Sequence, residues 1–265
     1  MGLNPGRYVL KNNLPGPGPL PSTGTRASYW AAHQRRPILL LLLGVGLILA
    51  FAWLPASVLS SFLKALTAQR GLVFLLSLFV LLALSLIWSS GQRLDMYIFT
   101  LLNLRGYPAW LDRFMGLATQ LGNMLVAFIL AGLFYLLNYR LLAIELILGT
   151  LFIWLLVELI KAISDRDRPF LTFEKARVIG WREKGNSFPS GHTTQIFFLV
   201  TLFIHRFQLG IGVSIVLYAV AALVGFTRIY LGAHYPRDVI AGLVLGSSWG
   251  ILAMLVDSYW LLIHF

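Results

Sequence analysis

Long apolar stretches separated by short polar breaks run through most of this chain, and their lengths predict helices. Pro37 to Leu59, Gly71 to Ser89, Asn123 to Leu137, Leu141 to Ile163, Gly191 to Ile204, Leu209 to Phe226 and Val239 to Leu262 make seven apolar segments, most of a length that can span a bilayer. Gly91 to Gly122 is mixed: Asp95 to Leu104 and Trp110 to Leu121 are amphipathic on either side of the Gly106-Tyr107-Pro108 break, which predicts two short interfacial helices. The polar connections that remain are the tight turns at Asn138-Tyr139-Arg140 and His205-Arg206, the hydrophilic loop Ser164 to Pro189, and the stretch Thr227 to Asp238. Two spans separate the loop after Ile163 from the loop after Phe226, so both lie on one side of the membrane, together with the Gly91 to Gly122 stretch. The expected fold is an all-α, polytopic membrane helix bundle without internal repeats.

Composition agrees. Of 265 residues, 58% are hydrophobic and 12% charged, and the mean hydropathy is +0.79, outside the range of ordinary soluble domains. The net charge of +11 does not point to nucleic acid, because the basic residues lie in the N-terminal tail and between apolar runs rather than on one soluble face. Membrane orientation and an anionic substrate account for them. The absence of cysteine excludes disulfides, thiolate catalysis and cysteine metal sites. Residues 1–36 are rich in Gly and Pro, carry Arg7, Lys11, Arg26, Arg35 and Arg36, and read as a flexible basic tail. Residues 37–70 form a hydrophobic segment and link, whose apolar core and preceding region are longer than those of signal peptides; residues 71–265 form the membrane domain.

The chemistry concentrates in three polar pieces. In the first, Lys161 and Arg168 stand seven residues apart, so on a continued helix both would point the same way, with Pro169 marking its end. In the second, Pro189-Ser190-Gly191-His192 opens an apolar helix: Ser190 can cap it, Gly191 admits an anion to the backbone, and His192 faces the same helix mouth. In the third, Arg228, His234 and Asp238 share one polar island; if the chain turns helical after Tyr235, with Pro236 in the first turn, Asp238 lies one turn from His234 and can hold its tautomer. Each piece alone also has a structural explanation: a positively flanked helix end, a cap, an interfacial loop. Together they supply three cations, a helix-mouth cradle and two histidines, the donor set that a phosphoryl group needs at its equatorial oxygens and its two axial ends. No metal or other cofactor is expected, since the cations supply the electrostatics and isolated histidines without a carboxylate cluster make a poor magnesium or zinc site. Glu158, one turn before Lys161, is expected to pair with it.

Lys, six residues, Arg-Pro; Pro-Ser-Gly-His; Arg, five residues, His, three residues, Asp: these motifs, in this order, resemble those of the type 2 phosphatidic acid phosphatase superfamily, which includes membrane lipid phosphatases and vanadium haloperoxidases. The resemblance spans about Gly71 to Leu262 and departs at Thr227, where the family usually has serine. It implies a six-helix catalytic core, to which the segment 37–59 is an addition. It also implies that His234 attacks phosphorus to form a phosphohistidine, that Asp238 orients it, and that His192 protonates the leaving oxygen and later activates water. Lys161, Arg168, Ser190, Gly191 and Arg228 would hold phosphate oxygens. The implied substrate is a membrane lipid phosphate, such as a polyprenyl diphosphate, phosphatidylglycerophosphate or phosphatidic acid. A lipid phosphotransferase using the same residues and a non-hydrolytic phosphate-lipid carrier are the alternatives.

Sidedness depends on the first segment. If 37–59 crosses the membrane, the tail shares the catalytic side; if it does not, the tail joins Lys64, Arg70, Arg140 and Arg206 on the opposite, positive side. The second arrangement places the active site outside the cytoplasm, the side on which bacterial relatives usually work, and is the expectation for a bacterial inner membrane protein.

Overall fold

The computed structural model describes residues 70–264 together with Ser60 and Lys64, with side-chain surroundings up to Leu255. The basic tail 1–36 and the segment 37–59 lie outside the described residues. Among the described residues there is no strand, and the order is α1 (Arg70–Ser85), α2 (Ser89–Asn103), α3 (Ala109–Ala118) with a 3-10 turn (Thr119–Gly122), α4 (Met124–Leu136), α5 (Arg140–Ser164), the single turn α6 (Pro169–Thr172), α7 (Gly191–Arg206), α8 (Ile211–Tyr230) and α9 (Pro236–His264).

Among the described residues, three helical stretches, Arg140–Thr172, Ile211–Tyr230 and Pro236–Leu255, are long and apolar enough to cross a membrane, and two bent pairs raise the number to five if each counts as one span. In those pairs α2 turns 94° from α1, and α4 turns 56° from α3 and its 3-10 extension. With α7, these elements make the six helical units of the expected bundle. Outward faces of α4, α5 and α8 carry exposed Leu136, Phe152, Leu155 and Ile215. In a bilayer such residues meet lipid tails, and the helices satisfy their own backbone groups.

The middle of the bundle is α7. It is buried continuously from Thr193 to Leu202, as expected of a helix that is apolar all round. Its few polar groups are paired: Gln195 Nε2 donates to Thr150 Oγ1 at 2.9 Å on α5, and Thr194 Oγ1 to Ser190 O at 2.9 Å. One side of α7 lies against α9, whose Gly242, Gly246 and Gly250 recur at helical spacing along the seam. A Cβ on Gly246 would fall well inside contact distance of Thr194 O, so the two backbones touch there as only small residues permit. This contact brings the start of α7 beside the start of α9, and with it two of the three polar pieces.

Helix α2 lies across the same end of the bundle. It buries Asp95, Phe99 and Asn103, one residue per turn. The amphipathic pattern therefore marks a face turned toward the polar loops, with Phe99 edge-on to Tyr235 at 5.8 Å between two hydrogen-bonding residues. Asn103 Nδ2 donates to Tyr230 O at 2.9 Å and to Arg177 O at 2.8 Å, while its Oδ1 accepts from Arg177 N at 2.7 Å. Arg177 Nη2 also reaches Asp112 Oδ1 at 2.5 Å on α3. Arg177, one of several cations in the loop Leu171 to Ser187, thus clasps that loop to α2 and α3. The fit is close: Gly232 has φ +82° and stands where a Cβ would collide with Arg177 O.

Candidate functional site

The third polar piece is helical on both sides of a tight turn. Helix α8 continues through Thr227 and Arg228 to Tyr230, beyond the loop boundary expected after Phe226. Thr227 Oγ1 donates to Val224 O at 2.6 Å, so its hydroxyl is spent within the helix. Leu231 to Tyr235 form the turn, and α9 begins at Pro236 as its fixed φ allows. His234 is 1% exposed and Asp238 fully buried.

His234 has two distinct sides. Its Nε2 lies 3.3 Å from Arg168 Nη1; a guanidinium can only donate, so Nε2 is the acceptor and the ring proton sits on Nδ1. Nδ1 faces Ser187 Oγ at 3.5 Å and Asp238 Oδ2 at 3.7 Å. The expected direct bond between Asp238 and the imidazole is therefore replaced by a triangle, because Asp238 Oδ2 already accepts from Ser187 Oγ at 2.5 Å and from Tyr235 N at 2.8 Å. Burial, reinforced by the nearby Arg168 and Arg228, pushes the His234 pKa well below 6.5. An unfolded chain protonates this histidine near 6.5 while the folded one does not, so stability falls as pH drops through that value. Ring 15N NMR of the solubilised protein, assigned with His234→Gln, is expected to show a neutral imidazole still at pH 6; protonation at or above 6.5 would contradict the geometry.

The first polar piece departs from expectation. Helix α5 ends at Ser164, where Asp165 takes a left-handed φ of 45°, and Pro169 opens the new turn α6 with Arg168 at its cap position. Lys161 and Arg168 are not on one continued helix; the reversal at Asp165 redirects the chain, and Pro169 starts a turn instead of ending one. Arg168 is nonetheless aimed into the site, 1% exposed, with Nε donating to Gly185 O at 3.0 Å and Nη1 to Ala233 O at 3.2 Å. Lys161 Nζ pairs with Glu158 at 2.8 Å, as expected. It borders the same cleft without joining the two arginines.

In the second piece Ser190 occupies the cap position of α7, but its hydroxyl accepts from Thr193 Oγ1 at 2.9 Å and does not cap a backbone amide. Gly191 and His192 line a cleft of about 190 Å³ with Lys161 and Glu183 at its polar end and Ile153, Trp154 and Val157 along its apolar wall.

Several residues of the site carried no motif. Glu183 has its carboxylate between the arginines, Oε2 at 2.8 Å from Arg168 Nη1 and Oε1 bonded to Arg228 Nη2; the same oxygens stand 3.8 Å from His234 Nε2 and 3.8 Å from His192 Nδ1 respectively. Arg228 Nη1 donates to Thr119 Oγ1 at 2.9 Å, and its buried Nε has no partner. Burial opposes ionisation of Glu183, but Arg228 and the other positive groups around it, Arg168 among them, outweigh this and hold its carboxyl well below the usual range. Behind Asp238, Arg166 Nη1 donates to Oδ1 at 2.5 Å and its Nη2 bonds Asp95, which also takes Arg237 Nε at 2.6 Å. The available signal was one of two acids, with Glu174, in the basic loop Leu171 to Ser187 for Glu183, and an acid on an amphipathic face for Asp95. Neither names a partner until the fold does.

A sequence model of the PAP2 superfamily matches residues 141–261. A lipid A 1-phosphatase of Rhizobium johnstonii is 36% identical over 110 residues, which cover 38% of this chain and 42% of that protein. An undecaprenyl-diphosphatase of Sulfolobus acidocaldarius is 31% identical over 124 residues, covering 45% and 57%. The match therefore spans about half the length of these curated relatives. Among solved structures, a transmembrane PAP2 type phosphatidylglycerolphosphate phosphatase from Bacillus subtilis superimposes with a TM-score of 0.59 at 26% identity, covering 71% of this chain and 96% of that one.

Proposed function

Because this chain belongs to the PAP2 superfamily, we propose that it is an integral membrane lipid phosphatase, cleaving a phosphomonoester or diphosphate of a membrane lipid through a phosphohistidine. The observation that carries this reading is the pair Arg168 and Arg228 closing on one anionic group within 3.8 Å of both histidines. A phosphoryl group in that seat would place two equatorial oxygens on the guanidiniums. His234 Nε2, neutral and unprotonated, attacks phosphorus; the bond from phosphorus to the lipid oxygen breaks, and His192 gives that oxygen its proton. Nδ1–H of the phosphorylated ring stays toward Ser187 and Asp238, whose negative charge offsets the imidazolium. His192 then removes a proton from water, which attacks phosphorus and returns His234 to its free form. Lys161 and Gly191 line the adjoining cleft with Glu183 and His192, and its apolar wall of Ile153, Trp154 and Val157 suits a lipid chain. Charge stabilisation by preorganised donors of this kind contributes about 10^2- to 10^3-fold per donor removed.

The test is phosphate release by detergent-solubilised protein, in chelator, from lipid A 1-phosphate, phosphatidylglycerophosphate, phosphatidic acid and undecaprenyl diphosphate. Release from at least one is expected. Release that needs an added acceptor lipid would mark a phosphotransferase, and binding without turnover a carrier. The seat is proposed to face away from the bacterial cytoplasm. With no native cysteine, Trp181→Cys at a position 87% exposed should react with a membrane-impermeant maleimide on intact spheroplasts; labelling only after lysis would put the site inside.

A further inference from the structure

Glu183 does more than neutralise its surroundings. Its two carboxylate oxygens bridge two guanidiniums, Oε2 to Arg168 and Oε1 to Arg228, as two oxygens of a phosphoryl group would. The same oxygens lie 3.8 Å from the ring nitrogens of both histidines. Resting on the phosphatase reading above, we infer that Glu183 is a further residue of the reacting set: its carboxylate is the internal anion of the phosphate seat, the substrate's phosphoryl group displaces it, and it then pairs with His192 Nδ1 to hold that imidazole as the acid.

The loop is built for such a movement. Trp181, Arg182 and Lys184 around Glu183 are exposed, and the tip is flanked by Gly180 and Gly185 at φ +85° and +82°. The ends are fixed, on one side by the Arg177 clasp to Asn103 and Asp112, on the other by Ser187 N donating to Arg166 O at 2.7 Å. A tip of this kind can lift without releasing the loop. The second half of the inference follows from charge. Burial acts on His192 most and opposes its protonation; the charged groups around it are Arg228 from α8, Glu183 from the loop, Lys161 from α5 and Arg168 ahead of α6. The three cations oppose a protonated imidazole, and the carboxylate favours it. An acid that must donate to a leaving oxygen needs that carboxylate most when the arginines have exchanged it for phosphate.

Binding of inorganic phosphate and orthovanadate to the purified full chain, by calorimetry, tests the first half without any lipid. Glu183→Gln removes the internal competitor, so both anions should bind about tenfold tighter or more, the factor by which an occupied seat reduces apparent affinity. Glu183→Asp, with a shorter reach, should fall between, and keeps the test open if the amide folds poorly. Unchanged or weaker anion binding in both variants would overturn the inference. In turnover, Glu183→Gln should lower KM and kcat together and move the high-pH limb of kcat downward, since His192 loses its counter-charge and gives up its proton earlier. A high-pH limb that stays in place would overturn the role toward His192. If the wild type hydrolyses no lipid phosphate, the proposed function falls, while anion binding still decides whether Glu183 fills the seat.

Discussion

His234→Ala is expected to slow phosphate release by about 10^4-fold or more at saturating substrate, because removing a nucleophile removes the covalent route itself. Loss of one charge-stabilising donor, by contrast, costs about 10^2- to 10^3-fold. The comparison to make is therefore His234→Ala beside Arg228→Gln, on whichever lipid the wild type cleaves best, with acid quenching avoided so that a phosphohistidine can be trapped with labelled substrate. Trapped label in the wild type, and none in His234→Ala, is the expected pair of results. A His234 variant that loses no more than Arg228→Gln would make His234 a phosphate ligand and move the nucleophile elsewhere. The variant should fold: His234 sits in a turn whose backbone is held independently by Ala233 N and His234 N donating to Arg228 O at 3.0 and 3.1 Å.

The second large effect is expected far from any motif. Gly246→Ala places a methyl group against Thr194 O at the tightest point of the seam between α7 and α9, and forcing helices apart in a packed interior costs about 1–3 kcal/mol. Gly246→Leu should exceed what the bundle tolerates. Because His192 rides on α7 and Asp238 on the first turn of α9, with His234 in the turn just ahead of it, a shift of about 1 Å in the seam should also reduce turnover, by about 10^2-fold. Thermal unfolding in detergent and kcat measured on the same Gly246→Ala sample check both. A variant that keeps stability and turnover would mean that the seam is looser than the close approach of Gly246 to Thr194 implies.

Much of the architecture was legible because hydrophobic length and period report directly on helices. Helices α4, α5, α7 and α9 begin and end within a few residues of the apolar boundaries, and Pro236 starts α9 as its local chemistry dictates. The misreadings share one cause. Lys161 and Arg168 were placed on a common face by spacing alone, yet a left-handed turn at Asp165 stands between them. Arg228 was placed in a loop because it is charged, yet a buried arginine can remain helical when Thr119 and Glu183 supply acceptors from elsewhere. Arg177 is one of several cations in the loop Leu171 to Ser187, and nothing local to it names Asn103 and Asp112 as its partners.

Sequence alone determined the helical bundle and the order of the three polar pieces, and it singled out Arg168, Arg228, His192 and His234, which the fold gathers around Glu183, since period, length and motif spacing are local properties of the chain. Which carboxylate meets which cation was decided by the tertiary structure. Glu183 reaches Arg168 and Arg228, and Arg166 joins Asp95 to Asp238, only because a row of small residues lets α7 and α9 touch and α2 lies across their ends. Buried charges far apart in sequence must find partners at whatever surface the packed helices present, and that surface exists only once they have packed.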